Sequence, residues 1–279
     1  MAEAVIANGF SSGGRSARSA PLGYSEWAPP AGLEWAIECV WTRRTGGGPA
    51  HRSRVLPDGC ADLIFDVSPE CGLTGGGVHG LRAIAVGTMT KPLDTELAPR
   101  STLIGIRFHP GAGYPFLGAP LEELVDRRVG LTELWPRAAV ERLLGRLAES
   151  ERPAQWSSAL VAELSPRRSC IPDQAVRQAV RWILESQGRV RAGELALRLG
   201  ISRQTLARRF RRQVGVGPKM LARVVRLRAT VERIDRAGPI DWAELALEQG
   251  FSDQAHLCAE LRELAGEPPT RLLAKRRSP

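Results

Sequence analysis

The stretches ELALRLGIS (194–202) and ELALEQGFS (244–252) repeat almost letter for letter, 50 residues apart. Each copy must therefore solve the same local packing problem. Leu195, Ala196 and Leu199 fall on one face of a short helix in the first copy; Leu245 and Ala246 do so in the second, with Gln249 where Leu199 stands. The small alanine lets two helices cross closely. Gly200 and Gly250 suit a turn that needs positive φ. Ile201 and Phe251 plug the corner, and Ser202 and Ser252 are expected to satisfy free N–H groups of the following helix. Helix, three-residue turn, helix is the helix-turn-helix unit, written here twice.

The surroundings of the repeat are helical. Val176, Ala179, Val180, Ile183 and Leu184 form a stripe that ends near Gly188. Short helices are expected over about 192–199 and 203–214, the second with Leu206, Phe210 and Val214 inward. Pro218 opens a long helix that stops at Gly238-Pro239, and Asp241 with Glu244 forms a capping-box signal for the second unit, whose second helix is expected at about 253–265. Charge follows the same division. Residues 1–171 hold 18 Lys+Arg and 18 Asp+Glu, whereas residues 172–279 hold 21 and 12, so the whole excess of +9 lies in the helical block. A cationic domain of this kind suits an acidic partner such as nucleic acid.

The first half reads differently. LEWAIECVW (33–41) alternates, so Leu33, Trp35, Ile37, Cys39 and Trp41 are expected on one strand face. Further apolar runs at 55–56, 63–67, 83–86 and 103–108 are separated by turn residues. Consecutive short strands without intervening helices predict an antiparallel sheet curled into a small cupin-like barrel. Helical faces follow at Leu121, Leu124 and Val125, at Val140, Leu143, Leu144 and Leu147, and at Trp156, Leu160, Val161 and Leu164. The expected organisation is a disordered leader (1–23), an α+β sensor or dimerisation domain (24–164), a linker (165–173) and an all-α domain (174–277) with two helix-turn-helix units joined by a long helix. Five scattered cysteines without a CxxC pair point to reduced thiols and a cytoplasmic setting. No apolar run reaches about 18 residues, so no membrane span is expected.

ELALRLGISRQTLARRFRRQVGVGP (194–218), ELALEQGFSDQAHL (244–257) and the terminal GEPP (266–269) resemble the DNA-binding domain of AraC/XylS-type transcription regulators. RVLPDGCADLIF (54–65), VGTMTKPL (86–93) and GIRFHPGAGYPFLG (105–118) resemble the sensor portion of an uncharacterised branch of that family. The resemblance implies a transcription regulator on double-stranded DNA, with base contacts mainly at Gln204, Ala207 and Arg208. The residues agree: Arg203, Gln204, Thr205, Ala207 and Arg208 project opposite Leu206 and Phe210, where Arg can read guanine and Gln adenine. Arg209, Arg211 and Arg212 suit phosphate. The second copy departs from this. Residues 194–215 carry six Arg and one Glu, but 244–265 carry one Arg and five acids. Ser252, Gln254 and His256 remain candidate contacts, while Ala259, Glu260 and Glu263 replace the usual basic positions, so the first copy is expected to bind and the second to dock or pack.

In the first half, Trp35, Trp41, Asp58, Arg107 and His109 are candidate effector contacts. His51, Cys60, His79 and His109 lack metal-ligand spacing, no cofactor is implied, and no Ser/His/Asp grouping, phosphate loop or carboxylate pair points to an enzyme. Control by a small effector or through a homodimer is expected, with RNA polymerase as partner if the protein activates. Two alternatives stay open: an alkylation-repair protein accepting alkyl groups on Cys60, and a ligand-independent regulator whose first half only dimerises.

Overall fold

The computed structural model describes residues 4–6, 23–73, 77–150, 153–167, 172–236 and 240–272. The leader expected over 1–23 lies outside them except for 4–6 and Gly23, as do residues 168–171 of the expected linker. The first half contains β1 (Ala4–Ile6), β2 (Gly23–Trp27), β3 (Ile37–Arg44), β4 (His51–Val55), β5 (Ala61–Asp66), β6 (Ala83–Val86), β7 (Leu93–Leu97), β8 (Thr102–Phe108) and β9 (Arg128–Gly130). Its helices are α1 (Tyr114–Leu117), α2 (Arg137–Ala148) and α3 (Pro153–Leu164). A six-stranded antiparallel sheet runs in the order β2-β3-β8-β5-β6-β9, and a smaller sheet in the order β1-β4-β7.

The period of two divides the large sheet between two apolar layers. Leu63, Phe65, Ile104, Ile106 and Phe108 face the helices, packing with Phe116, Leu143, Leu147 and Leu160. Cys39, Trp41, Ile84, Val86 and Leu103 face the other way, toward Leu73 and Leu97 beside the smaller sheet. Gly105 is required on this second face, because a Cβ there would lie 1.9 Å from the Trp41 ring. The strand expected over 33–41 needs correction. Residues 34–36 are a turn, and the pairing of β3 with β8 slips between Ile37 and Cys39. A bulge of this kind inverts the alternation. Leu33 and Ile37 therefore join the helix-facing layer while Cys39 and Trp41 join the opposite one. The helix expected from Leu121 is a single 3-10 turn, Leu121–Glu123.

The second half is α4 (Gln174–Glu185), α5 (Ala192–Arg198), α6 (Arg203–Val214), α7 (Pro218–Arg236), α8 (Trp242–Glu248) and α9 (Gln254–Ala265). Residues α4, α5, α6 and the start of α7 bury Ile183, Leu195, Leu206, Phe210 and Leu221 together. The end of α7 packs Leu227, Val231 and Ile234 against Leu245, Phe251, Leu257 and Leu261. Phe210 is fully buried. Phe210→Ala is expected to destabilise this core by about 3–5 kcal/mol, read as a lower urea midpoint of its helical signal.

The halves share surface. Leu56 enters the cluster of α7, α8 and α9, and Val125 packs on that of α4–α6. Thr88 Oγ1 donates to Val214 O at 2.6 Å. Arg54 pairs with Glu267 at 2.8 Å and Arg228 with Glu38 at 3.0 Å.

Candidate nucleic-acid interface

The two units make the same turn. Gly200 and Gly250 have φ of 65° and 76°. Ile201 N donates to Ala196 O at 3.2 Å, and Phe251 N to Ala246 O at 2.9 Å. Beyond the turn the copies fall out of step. Ser202 caps α6, its Oγ accepting from Thr205 N at 3.1 Å. The cap of α9 is Asp253, accepting from His256 N at 2.8 Å, and not the expected Ser252, whose Oγ instead donates to Asp253 at 3.1 Å. The turn glycines lie 50 residues apart and the caps 51 apart, so the second turn carries one extra residue.

Aligning the helices by their caps places Gln254 where Arg203 stands, His256 at Thr205, Ala259 at Arg208, Glu260 at Arg209 and Glu263 at Arg212. On α6, Arg203, Gln204, Arg208, Arg209, Arg211 and Arg212 are exposed, and Thr205 and Ala207 half-buried, opposite Leu206, Phe210 and Val214. Arg203 and Arg208 make no ion pair among the described residues; Arg203 lies over Gly193 of α5. The later arginines meet neighbours: Arg209 pairs with Asp173 at 3.2 Å, Arg211 lies 4.0 Å from Glu122, and Arg212 Nε donates to Tyr114 Oη at 3.0 Å.

On α9, Gln254 and His256 are exposed, with the His256 ring edge-on to Phe251. Asp253 stands at the helix start, and the His256 N–H and Ser252 hydroxyl hold its carboxyl below the usual range. A fixed negative charge therefore sits where a helix N-terminus would otherwise draw phosphate. Glu260, largely buried, and Glu263, exposed, are both committed to Arg223 of α7, at 2.9 Å and 2.6 Å. Their sequence signal was the acidic run; their partner lay 37 and 40 residues away on another helix.

The effector candidates do not form one site. Trp41 and Arg107 line a cavity of about 110 Å³ between the two sheets. Asp58, buried, lies 3.3 Å from Arg107, which Asp62 and Glu26 also approach at 3.5 Å and 3.6 Å. Trp35 and His109 line a separate cavity of about 210 Å³ against Arg177, Val180 and Leu184 of α4. Sequence reasoning missed Tyr24, Arg43, Asp62 and Arg128 in the first cavity, since only the pairing of distant strands collects them. Asp62 is pushed up to about 6 by burial, against the pull of Arg107. Cys60 is buried, its Sγ donating to Glu38 at 3.2 Å, and burial together with Asp58 and Glu38 pushes the thiol well up. No group of His, Cys, Asp and Glu among the described residues could hold a metal, and no described helix is long and apolar enough to cross a membrane.

Residues 195–275 match a helix-turn-helix domain, and residues 25–130 match a domain of unknown function (DUF6597). No curated protein matches the chain in sequence. Among solved structures it is similar to the C-terminal domain of AraT, a response regulator from Geobacillus stearothermophilus (20% identity, 39% of this chain and 92% of that one, TM-score 0.36). It is also similar to an AraC-type regulator from Chromobacterium violaceum (22% identity, 38% and 94%, TM-score 0.35). A third is ToxT from Vibrio cholerae (10% identity, 87% and 100%, TM-score 0.45). The stretch matched to the helix-turn-helix domain takes in nearly all of the two units and the long helix between them, and the stretch matched to the domain of unknown function carries most of the N-terminal strands.

Proposed function

We propose that this chain is an AraC-type transcription regulator that reads DNA through α6 alone, with Arg203, Gln204 and Arg208 at base edges, and that its N-terminal half restrains α6 until an effector binds. The observation that carries the reading is the contrast between matched positions: Arg203 and Arg208 on α6, exposed and without an ion pair among the described residues, against Gln254 and Ala259 on α9. The α9 helix keeps its place through Arg223, whose partners Glu260 and Glu263 would oppose phosphate.

Restraint is supported by the segment 121–125 of the N-terminal half. Glu122 faces Arg211, Val125 packs on the α6 cluster, and Tyr114 accepts from Arg212. Tyr114→Phe combined with Glu122→Gln removes two of these contacts. The expected result is a DNA affinity raised roughly two- to fivefold, because exposed pairs contribute under about 1 kcal/mol each. The salt dependence should steepen by about one unit of slope for each arginine gained by phosphate. Fluorescence anisotropy across a salt series measures both, on DNA selected by the full-length protein from random sequence; unchanged affinity and slope would remove the restraint. Alkyl acceptance on Cys60 draws no support from a thiol held protonated and out of solvent.

A further inference from the structure

The cavity between the two sheets is apolar over most of its wall, with Ile84, Leu97 and Leu103 among its lining. Its charged residues are not equivalent. Arg107 is neutralised by Asp58, Asp62 and Glu26. Asp62 accepts from Trp41 Nε1 at 2.8 Å, and Glu96 pairs with Arg52 at 3.2 Å. The Arg128 side chain has no hydrogen bond or ion pair among the described residues, although it is partly buried on the cavity wall. Burial lowers its pKa, with no carboxylate raising it. Arg43, across the sheet, meets the His51 ring, and burial lowers its pKa too, against the pull of Tyr24. A guanidinium taken from water without a counter-ion is unfavourable, and an anionic ligand removes that cost.

We propose that this cavity binds a small organic monoanion, with its carboxylate on Arg128 and a short branched apolar body against Ile84, Leu97 and Leu103. The size follows from the volume of about 110 Å³, below the roughly 150 Å³ of a dry protein cavity that admits benzene, so the apolar body is smaller than a six-membered ring. This inference deepens the effector reading and rests on it for its regulatory consequence. Arg128 pairs with Val86 across β6 and β9. Two residues beyond Val86 stands Thr88, which donates to Val214 of α6. Three residues before Arg128 stands Val125, which packs on the α6 cluster. An anion seated on Arg128 therefore acts on the strand pair whose two ends touch α6.

Isobutyrate is the probe, with isobutyramide as its neutral counterpart, on the full-length protein. At roughly a hundredfold over its Kd the carboxylate should raise Tm by about 5–10 °C and change the fluorescence of Trp41. The amide should bind at least about tenfold more weakly. Arg128→Gln should lose the preference for the acid, and Arg128→Lys should retain part of it, which separates loss of charge from loss of fold. Equal binding of acid and amide, equal binding by Arg128→Gln, or no shift with either compound overturns the proposal. A shift that needs Arg128 but leaves affinity for the selected DNA unchanged supports the site and removes the effector reading. A neutral compound that alters DNA affinity without needing Arg128 does the reverse.

Discussion

Arg208→Ala is expected to weaken specific DNA binding by about 5- to 150-fold, while Gln254→Ala changes it by less than about twofold. The first figure is the discrimination carried by one bidentate arginine–guanine contact, about 1–3 kcal/mol. Arg208 is exposed on α6, makes no ion pair among the described residues, and so meets DNA without first giving up a partner. Gln254 occupies the matched place of Arg203 on a helix whose cap is an ionised Asp253 and whose acids Glu260 and Glu263 hold Arg223. Anisotropy titration of both variants on one selected site decides the matter. Comparable losses would mean that the two helices read DNA with equal weight, and the unequal arrangement would have to be abandoned.

Arg228→Ala should cost about 3–5 kcal/mol of stability, because it strands a buried carboxylate. Glu38 and Arg228 join β3 to α7 at 3.0 Å, with side chains only 10% and 15% exposed. Burial works against the Arg228 charge, but Glu38 and Asp58 outweigh it and hold the guanidinium above its usual range. Cys60 donates to the second oxygen of Glu38, and Glu232 lies 3.6 Å from Arg228, so removal of the arginine leaves Glu38 with a thiol alone. The double variant Glu38→Leu with Arg228→Met should recover most of the loss, since an apolar pair of similar volume needs no counter-charge. Urea denaturation of Glu38→Leu, Arg228→Met and the double variant completes the cycle. A double variant as unstable as Arg228→Ala would show that the site requires polar contacts to its other neighbours.

Much of the second half was legible because its signals are local. Leu206, Phe210 and Val214 recur at helical spacing, Ser202 and Asp241 cap the helices after them, and Gly200 and Gly250 mark turns with positive φ. Each rests on hydrogen bonds reaching three or four residues, which a sequence displays directly. The same reasoning failed at Ser252, where one added residue hands the cap to Asp253, and at the start of β3, where a bulge reverses the faces of Ile37 and Cys39. Both depend on a single inserted position that a repeated phrase or an alternating pattern does not reveal.

By itself the sequence determined that two helix-turn-helix units are joined by a long helix, that one reading helix is cationic and the other acidic, and that strands precede them. The tertiary structure alone decided where those charges go. Glu260 and Glu263 meet Arg223, Arg211 meets Glu122, Glu38 meets Arg228, and the Arg128 side chain faces an apolar cavity without a partner among the described residues. The physical reason is range: periodicity and capping act within a helical turn, whereas burial and ion pairing join residues that only the completed packing brings within a few ångströms.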